Sequence, residues 1–213
     1  MTDHNQTLLD LFARAPVIPV LTFKSPDEAL AVGGALIEGG LNVLEVTLRT
    51  PRAVEIIEVL ARHFPAARIG AGTVLTLDQA KAAQDAGAGF LVSPGSTEIL
   101  LRQGADFPLP WLHAAVTVSE VMRLREYGRR VLKFFPAEPA GGIPVLKAWA
   151  PVLPDVVFCP TGGIDAAKAP AYLALPNVGA VGGSWVVPED AVASRDLSRI
   201  TELARAAAAL RVV

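Results

Sequence analysis

Eight short apolar runs recur along this 213-residue chain at almost constant intervals, and that regularity constrains the fold more than any other feature. The runs are Val17–Phe23, Asn42–Thr47, Arg68–Ala71, Gly89–Ser93, Trp111–Ala114, Arg130–Phe135, Val156–Pro160 and Val178–Gly182. Their ends are separated by 24, 24, 22, 21, 21, 25 and 22 residues. Between them lie segments with apolar residues at helical spacing, such as Pro26–Glu38, Pro51–Phe64, Leu77–Ala86 and Val118–Tyr127. Short strands alternating with helices at an even pitch predict a single (β/α)8 TIM barrel. A doubly wound open sheet shares the alternation, but nothing in its construction requires units of one size.

The punctuation agrees with this reading. Pro26 and Pro51 stand where first helical turns belong, and Gly39, Gly40 and Gly87 where C-terminal caps belong. A helix over Thr7–Ala15 is expected to plug the bottom of the barrel, and Leu197–Val213 to form the last outer helix. No linker or low-complexity stretch interrupts the pattern, so residues 1–213 are expected to form one catalytic domain.

Composition narrows the partners. A chain 52% apolar and 19% charged has ample material for a core. A net charge of −2 provides no basic field for nucleic acid or anionic lipid, so any anion must be caught locally. The lone cysteine, Cys159, leaves no internal disulfide framework and suits a reducing compartment. Met1 to Gln6 is polar, and no run reaches the roughly 18–20 apolar residues of a membrane span. These features predict a cytoplasmic protein with neither nucleic-acid nor membrane partners.

In barrels of this kind, chemistry is assembled at the C-terminal ends of the strands. Lys133 lies in Val131-Leu132-Lys133-Phe134-Phe135, a run that reads as a buried strand. Alternation puts Val131, Lys133 and Phe135 on one face. Burial disfavours an ammonium, and a neutral amine in a pocket can attack a ketone to form an imine. Glu45, in Val43-Leu44-Glu45-Val46-Thr47, is the matching anomaly. It could pair with Lys133 in the empty site and move protons during turnover. A purely structural ion pair is the alternative.

Arg49 follows the Glu45 strand and could clamp a substrate carboxylate, with Thr73 on the Gly-flanked turn Gly70-Ala71-Gly72-Thr73 assisting. Two glycine loops come late: Thr161-Gly162-Gly163-Ile164, and Gly182-Gly183-Ser184. Loops after the seventh and eighth strands are the usual phosphate station of a barrel. Together these groups suggest a small 2-oxo acid with a carboxylate at one end and a phosphate at the other. His4 and His63 are expected to face solvent, Cys159 to be a buried structural thiol, and Trp111, Trp149 and Trp185 to pack. No His, Cys and Asp cluster has metal-ligand spacing, so no metal or cofactor is expected.

The chain resembles the 2-keto-3-deoxy-6-phosphogluconate and 4-hydroxy-2-oxoglutarate aldolases. The resemblance is carried by Glu45-Val46-Thr47-Leu48-Arg49-Thr50, Gly70-Ala71-Gly72-Thr73-Val74, Ser93-Pro94-Gly95, Lys133-Phe134-Phe135-Pro136-Ala137-Glu138, Cys159-Pro160-Thr161-Gly162-Gly163-Ile164 and Gly182-Gly183-Ser184-Trp185. It implies a metal-free class I aldolase that releases pyruvate and glyceraldehyde 3-phosphate and assembles as a homotrimer. Lys133 would form the Schiff base, Glu45 would be the general acid/base, and Arg49 and Thr73 would hold the pyruvyl carboxylate. Thr161, Phe135 and Pro94 would meet the aldehyde end, while Gly162, Gly163, Gly182, Gly183 and Ser184 would receive the phosphate. One stretch departs from the pattern: His113-Ala114 stands where Pro-Gly is expected, which is read as placing an imidazole near the mouth.

Three other functions stay open at this point. They are a pyruvate aldolase for the galactonate epimer or an unphosphorylated acid, a binding barrel without turnover, and a phosphosugar isomerase. The last two leave a buried amine without a purpose.

Overall fold

The even pitch of the sequence becomes eight parallel strands in one sheet. The computed structural model describes residues 4–210. The strands are β1 (Val17–Leu21), β2 (Val43–Thr47), β3 (Arg68–Gly72), β4 (Phe90–Val92), β5 (Trp111–Ala115), β6 (Val131–Phe134), β7 (Val157–Pro160) and β8 (Val181–Gly183). They are ordered β7-β6-β5-β4-β3-β2-β1-β8. The two ends of that order meet through single parallel bridges, Phe158 with Val178 and Thr161 with Gly182, which close the sheet into a barrel. Closure pairs the two end strands with each other instead of leaving them as edges.

The helices are α1 (His4–Arg14), α2 (Pro26–Glu38), α3 (Ala53–His63), α4 (Leu77–Asp85), α5 (Glu98–Gln103), α6 (Val118–Glu126), α7 (Gly142–Trp149), α8 (Ala169–Leu173), α9 (Glu189–Ser194) and α10 (Leu197–Ala208). Local chemistry starts several of them. Thr76 and Gln79 form a reciprocal capping box on α4, and Thr117 and Glu120 form another on α6. Each such cap is worth about 1 kcal/mol. Pro26 occupies the first turn of α2, behind the Ser25 cap.

Strand alternation sorts side chains into two apolar layers. Ile18, Val43, Phe90, Val92, Leu112, Val131 and Cys159 point into the barrel, where Leu8, Leu11 and Phe12 of α1 join them. α1 is therefore the expected plug. The opposite faces, including Leu44, Val46, Leu132 and Phe134, pack against the outer helices.

Several boundaries differ from the sequence expectation. β1 stops at Leu21 rather than Phe23, because the Leu21 carbonyl accepts the Thr47 hydroxyl at 2.9 Å instead of extending the ladder. β8 begins at Val181 rather than Val178, since its partner β1 begins at Val17, the residue paired with Val181. Pro51 lies in the turn before α3 instead of its first helical turn. α9 was not anticipated. The last helix ends at Ala208, and the expected extension over 211–213 lies outside the described residues. Among the described residues, no helix is long and apolar enough to cross a membrane.

Candidate active site

Lys133 and Glu45 meet inside the barrel although 88 residues separate them in the chain. Val43 and Val131 fill the interior below, and alternation turns the residues two further on to the same side, one layer nearer the C-terminal mouth. Lys133 Nζ lies 3.2 Å from Glu45 Oε1 and 3.4 Å from Oε2, so the ammonium donates to both carboxylate oxygens. The residues are only 5% and 3% exposed. Two charges so far from water are tolerated because they are paired, and removing either partner would leave the other stranded.

The neighbouring strand leaves room for this pair. On β3 the inward positions are glycines: Phe90 lies over Gly70, and Glu45 lies over Gly72. Beyond β3 the chain turns at Thr73, whose φ of 59° is unusual for a β-branched residue. The capping box of α4 holds this turn from its far side, with the Gln79 side chain accepting from the Leu75 amide at 2.7 Å. From β2, Arg49 reaches across and donates through Nε to Thr73 Oγ1 at 3.3 Å. The expected carboxylate pair is thus brought together, with an exposed guanidinium beside a half-buried hydroxyl.

Phe135 follows the lysine strand directly, its ring centroid 5.4 Å from Lys133 Nζ, and the following bond to Pro136 is cis. Thr161 is buried at the end of β7 and bridges to Gly182 on β8. Gly162 and Gly163 follow with φ of 105° and 80°, conformations open to glycine. Their carbonyls are both engaged: Glu138 N donates to Gly162 O at 3.0 Å, and Lys168 Nζ to Gly163 O at 2.9 Å. In a trans peptide the next amide points the opposite way. The Gly163 amide therefore points away from Glu138, and the Ile164 amide away from Lys168. On the neighbouring β8, Gly182 and Gly183 are buried, Ser184 beyond it is exposed and the Trp185 ring lies against Gly183. Pro94 is half-buried in the loop after β4.

A cavity of about 490 Å³ lies outside the barrel, between α7 and α8, lined in part by Glu138, Lys168 and Tyr172. Neither Lys133 nor Glu45 lines it. Among the described residues, no group of three or more His, Cys, Asp or Glu could hold a metal ion.

A family model described as KDPG and KHG aldolase matches residues 9–203. The chain belongs to this aldolase family. It is 46% identical over 197 residues to the KHG/KDPG aldolase of Escherichia coli (strain K12), with 92% of each chain covered. The KDPG aldolase of Legionella pneumophila, solved with pyruvate captured at low pH as a covalent carbinolamine intermediate, superposes with a TM-score of 0.93. It is 47% identical, over 98% of this chain and 99% of that one. The 2-keto-3-deoxy-6-phosphogluconate aldolase of Zymomonas mobilis ZM4, solved with 3-phosphoglycerate, gives 0.92 at 43% identity over 97% of each chain. As a member of the family, the chain is a class I aldolase, a carbon–carbon lyase.

Two expectations are corrected. His113, read as placing an imidazole near the aldolase mouth, points away from the barrel axis. It pairs in register with Leu132, stacks on Trp111 at 5.1 Å between ring centroids, and reaches Ser96 Oγ from Nδ1 at 3.1 Å. Its 1% exposure and the nearby Arg129 cation push its pKa down to about 3, so the ring stays neutral. His4 is half-buried, its Nδ1 3.3 Å from Arg129 Nη1, rather than solvent-facing. His63 is exposed and Cys159 is buried, as expected, and complete burial raises the Cys159 thiol to about 12. Sequence reasoning missed Lys168, because nothing in its position before a short helix advertises a contact with the Gly163 carbonyl.

Proposed function

We propose that this aldolase cleaves 2-keto-3-deoxy-6-phosphogluconate to pyruvate and glyceraldehyde 3-phosphate through a Schiff base on Lys133. On the same reading it splits 4-hydroxy-2-oxoglutarate to pyruvate and glyoxylate. The observation that carries the mechanism is the buried contact of 3.2 Å between Lys133 Nζ and Glu45 Oε1.

Glu45 takes a proton from the Lys133 ammonium, and the freed amine adds to the C2 ketone. The resulting carbinolamine loses its hydroxyl as water when Glu45 returns the proton, leaving a protonated imine. Glu45, again a carboxylate, removes the proton of the C4 hydroxyl. The C3–C4 bond then breaks, its electron pair flows into the imine to give an enamine, and the aldehyde departs. Protonation at C3 and hydrolysis of the imine release pyruvate and restore the amine. A single carboxylate within reach of Nζ can perform each transfer, and no cofactor is invoked.

Arg49 and Thr73 are assigned to the pyruvyl carboxylate, because their side chains already meet at 3.3 Å on the rim. Thr161, Phe135 and Pro94 are assigned to the aldehyde end. Gly162, Gly163, Gly182, Gly183 and Ser184 are assigned to the phosphate, supported by loop amides that point away from Glu138 and Lys168 and so stay free to donate. The 3-phosphoglycerate held by the Zymomonas mobilis relative carries the same two anionic groups, a carboxylate and a phosphate. The reading extends to a cytoplasmic homotrimer serving the Entner–Doudoroff route. Light scattering on the purified protein tests the trimer.

Borohydride reduction in the presence of pyruvate tests the central step. Peptide mass analysis is expected to find one reduced pyruvyl adduct, on Lys133, with activity lost in proportion. An adduct on another lysine, or full activity after complete modification, would overturn the assignment.

A further inference from the structure

We propose that Lys168 is a positioning residue for the Gly162-Gly163-Ile164 peptide and thereby sets the preference for a phosphorylated substrate. The inference rests on the assignment of that loop to the phosphate. Lys168 Nζ donates to the Gly163 carbonyl at 2.9 Å and pairs with Glu138 Oε2 at 2.8 Å. The Tyr172 hydroxyl donates to the other oxygen of the same carboxylate. Glu138 in turn lies against Gly163, where a side chain would come within 2.8 Å of its Cβ and Cγ, and its amide holds the Gly162 carbonyl. The cluster therefore grips both carbonyls of the loop.

The backbone of Lys168 is itself anchored. Asp165 Oδ1 accepts from the amides of Ala167 and Lys168, each at 3.0 Å, which fixes where the lysine stem leaves the chain. Asp165 Oδ2 lies 3.9 Å from Nζ. Lys168 thus sits between two carboxylates, Glu138 and Asp165, at the edge of a loop proposed to receive a dianion. Without the lysine, those two charges would repel the phosphate. With it, a cation pulls on the Gly163 carbonyl, which holds the Ile164 amide pointing away from Lys168 and polarises it as a donor. The second carboxylate of 4-hydroxy-2-oxoglutarate sits directly on C4, short of the reach of a C6 phosphate, so it gains little from either effect, and the lysine leaves the imine chemistry alone.

Steady-state cleavage of 2-keto-3-deoxy-6-phosphogluconate and of unphosphorylated 4-hydroxy-2-oxoglutarate by full-length wild type, Lys168→Met, Lys168→Arg and Ser184→Ala tests the proposal. Lys168→Met is expected to raise KM for the phosphorylated substrate about 5- to 20-fold, as loss of one partly exposed charge-assisted contact would. Its kcat on both substrates, and its KM for the unphosphorylated one, are expected to stay within about twofold. Lys168→Arg is expected to restore most of the lost affinity. Equal rises in both KM values, or no change in either, would overturn the role of Lys168. If Ser184→Ala alone raises the phosphorylated KM, only the lysine proposal falls. If neither variant does, the phosphate assignment falls with it.

Discussion

Glu45 and Gly72 compete for one volume, and the absence of a side chain at position 72 is what lets the carboxylate reach Lys133. A Cβ built on Gly72 would lie 2.7 Å from Glu45 Cγ and 2.8 Å from Cδ. Gly72→Ala is therefore expected to push the carboxylate off Nζ while leaving every catalytic side chain in the sequence. Activity should fall by about 10²–10⁴-fold, the contribution of a positioned acid/base. Overpacking should cost a further ~1–3 kcal/mol of stability. Cleavage assays with a thermal melt on the same variant check both, and near-wild-type turnover would mean that Glu45 can act from elsewhere.

Glu45→Gln separates the proton transfers proposed for the carboxylate from amine capture. The amide keeps an oxygen acceptor for the Lys133 ammonium but cannot carry protons between steps. Turnover should drop by about 10²–10⁴-fold while borohydride still traps pyruvate on Lys133, more slowly. Loss of trapping together with turnover would show that Glu45 serves mainly to hold the lysine.

Thr73 sets the carboxylate-binding role proposed for it against stability in a single residue. Its φ of 59° costs a β-branched residue about 1–2 kcal/mol. Thr73→Gly relieves that strain but adds unfolded-state freedom worth roughly 0.5–1 kcal/mol, so stability should hold or rise slightly. The hydroxyl that Arg49 now reaches would be gone, and KM for both 2-oxo acids should rise together. A melting temperature several degrees lower would mean that the Thr73 side chain does more packing than the geometry indicates.

Much of this arrangement was legible in the sequence, and the reasons are local. The eight units, the plug helix and the inward phase of Lys133 and Glu45 follow from alternation and even pitch, which depend on near neighbours. The residues that escaped were those whose direction is set by a distant partner. His113 was expected at the mouth, but its register partner Leu132 faces the helices, and cross-strand register is not written in either segment alone. Lys168 carries no signal in its own segment, because its partner Glu138 follows β6 and the two meet only where β6 and β7 lie side by side. The early end of β1 likewise depended on a Thr47 hydroxyl 26 positions away.

Cys159 sits on β7 opposite Lys133 in register, close enough to the amine to invite a catalytic reading. Complete burial raises its thiol to about 12, with Glu45 adding to the effect and Lys133 opposing it. The folded protein should therefore be alkylated by iodoacetamide at pH 8.5 about 10²–10³-fold more slowly than the denatured chain, because almost no thiolate is present. The raised value also means that the thiol's contribution to stability is complete below pH 9 and is lost as pH climbs toward 12. Rapid labelling of the folded enzyme near pH 8.5 would contradict the buried placement.

The neutral imidazole of His113 gives a matching signature in acid. Desolvation first, and Arg129 second, lower its pKa from 6.5 to about 3 in the folded state. The stability that this shift confers is complete above pH 6.5. Below that, the unfolded chain binds a proton that the folded protein refuses, so stability falls as pH drops toward 3 at up to about 1.4 kcal/mol per pH unit. His113→Gln removes the titration but keeps a polar group beside Ser96, and the protein's carboxylates titrate in both forms. Denaturant midpoints measured from pH 7 to pH 4 should fall more steeply for the wild type than for the variant, whatever the offset between them at pH 7. Parallel curves would mean that the ring gains a proton while folded, which a side chain 1% exposed and stacked on Trp111 has no room to stabilise.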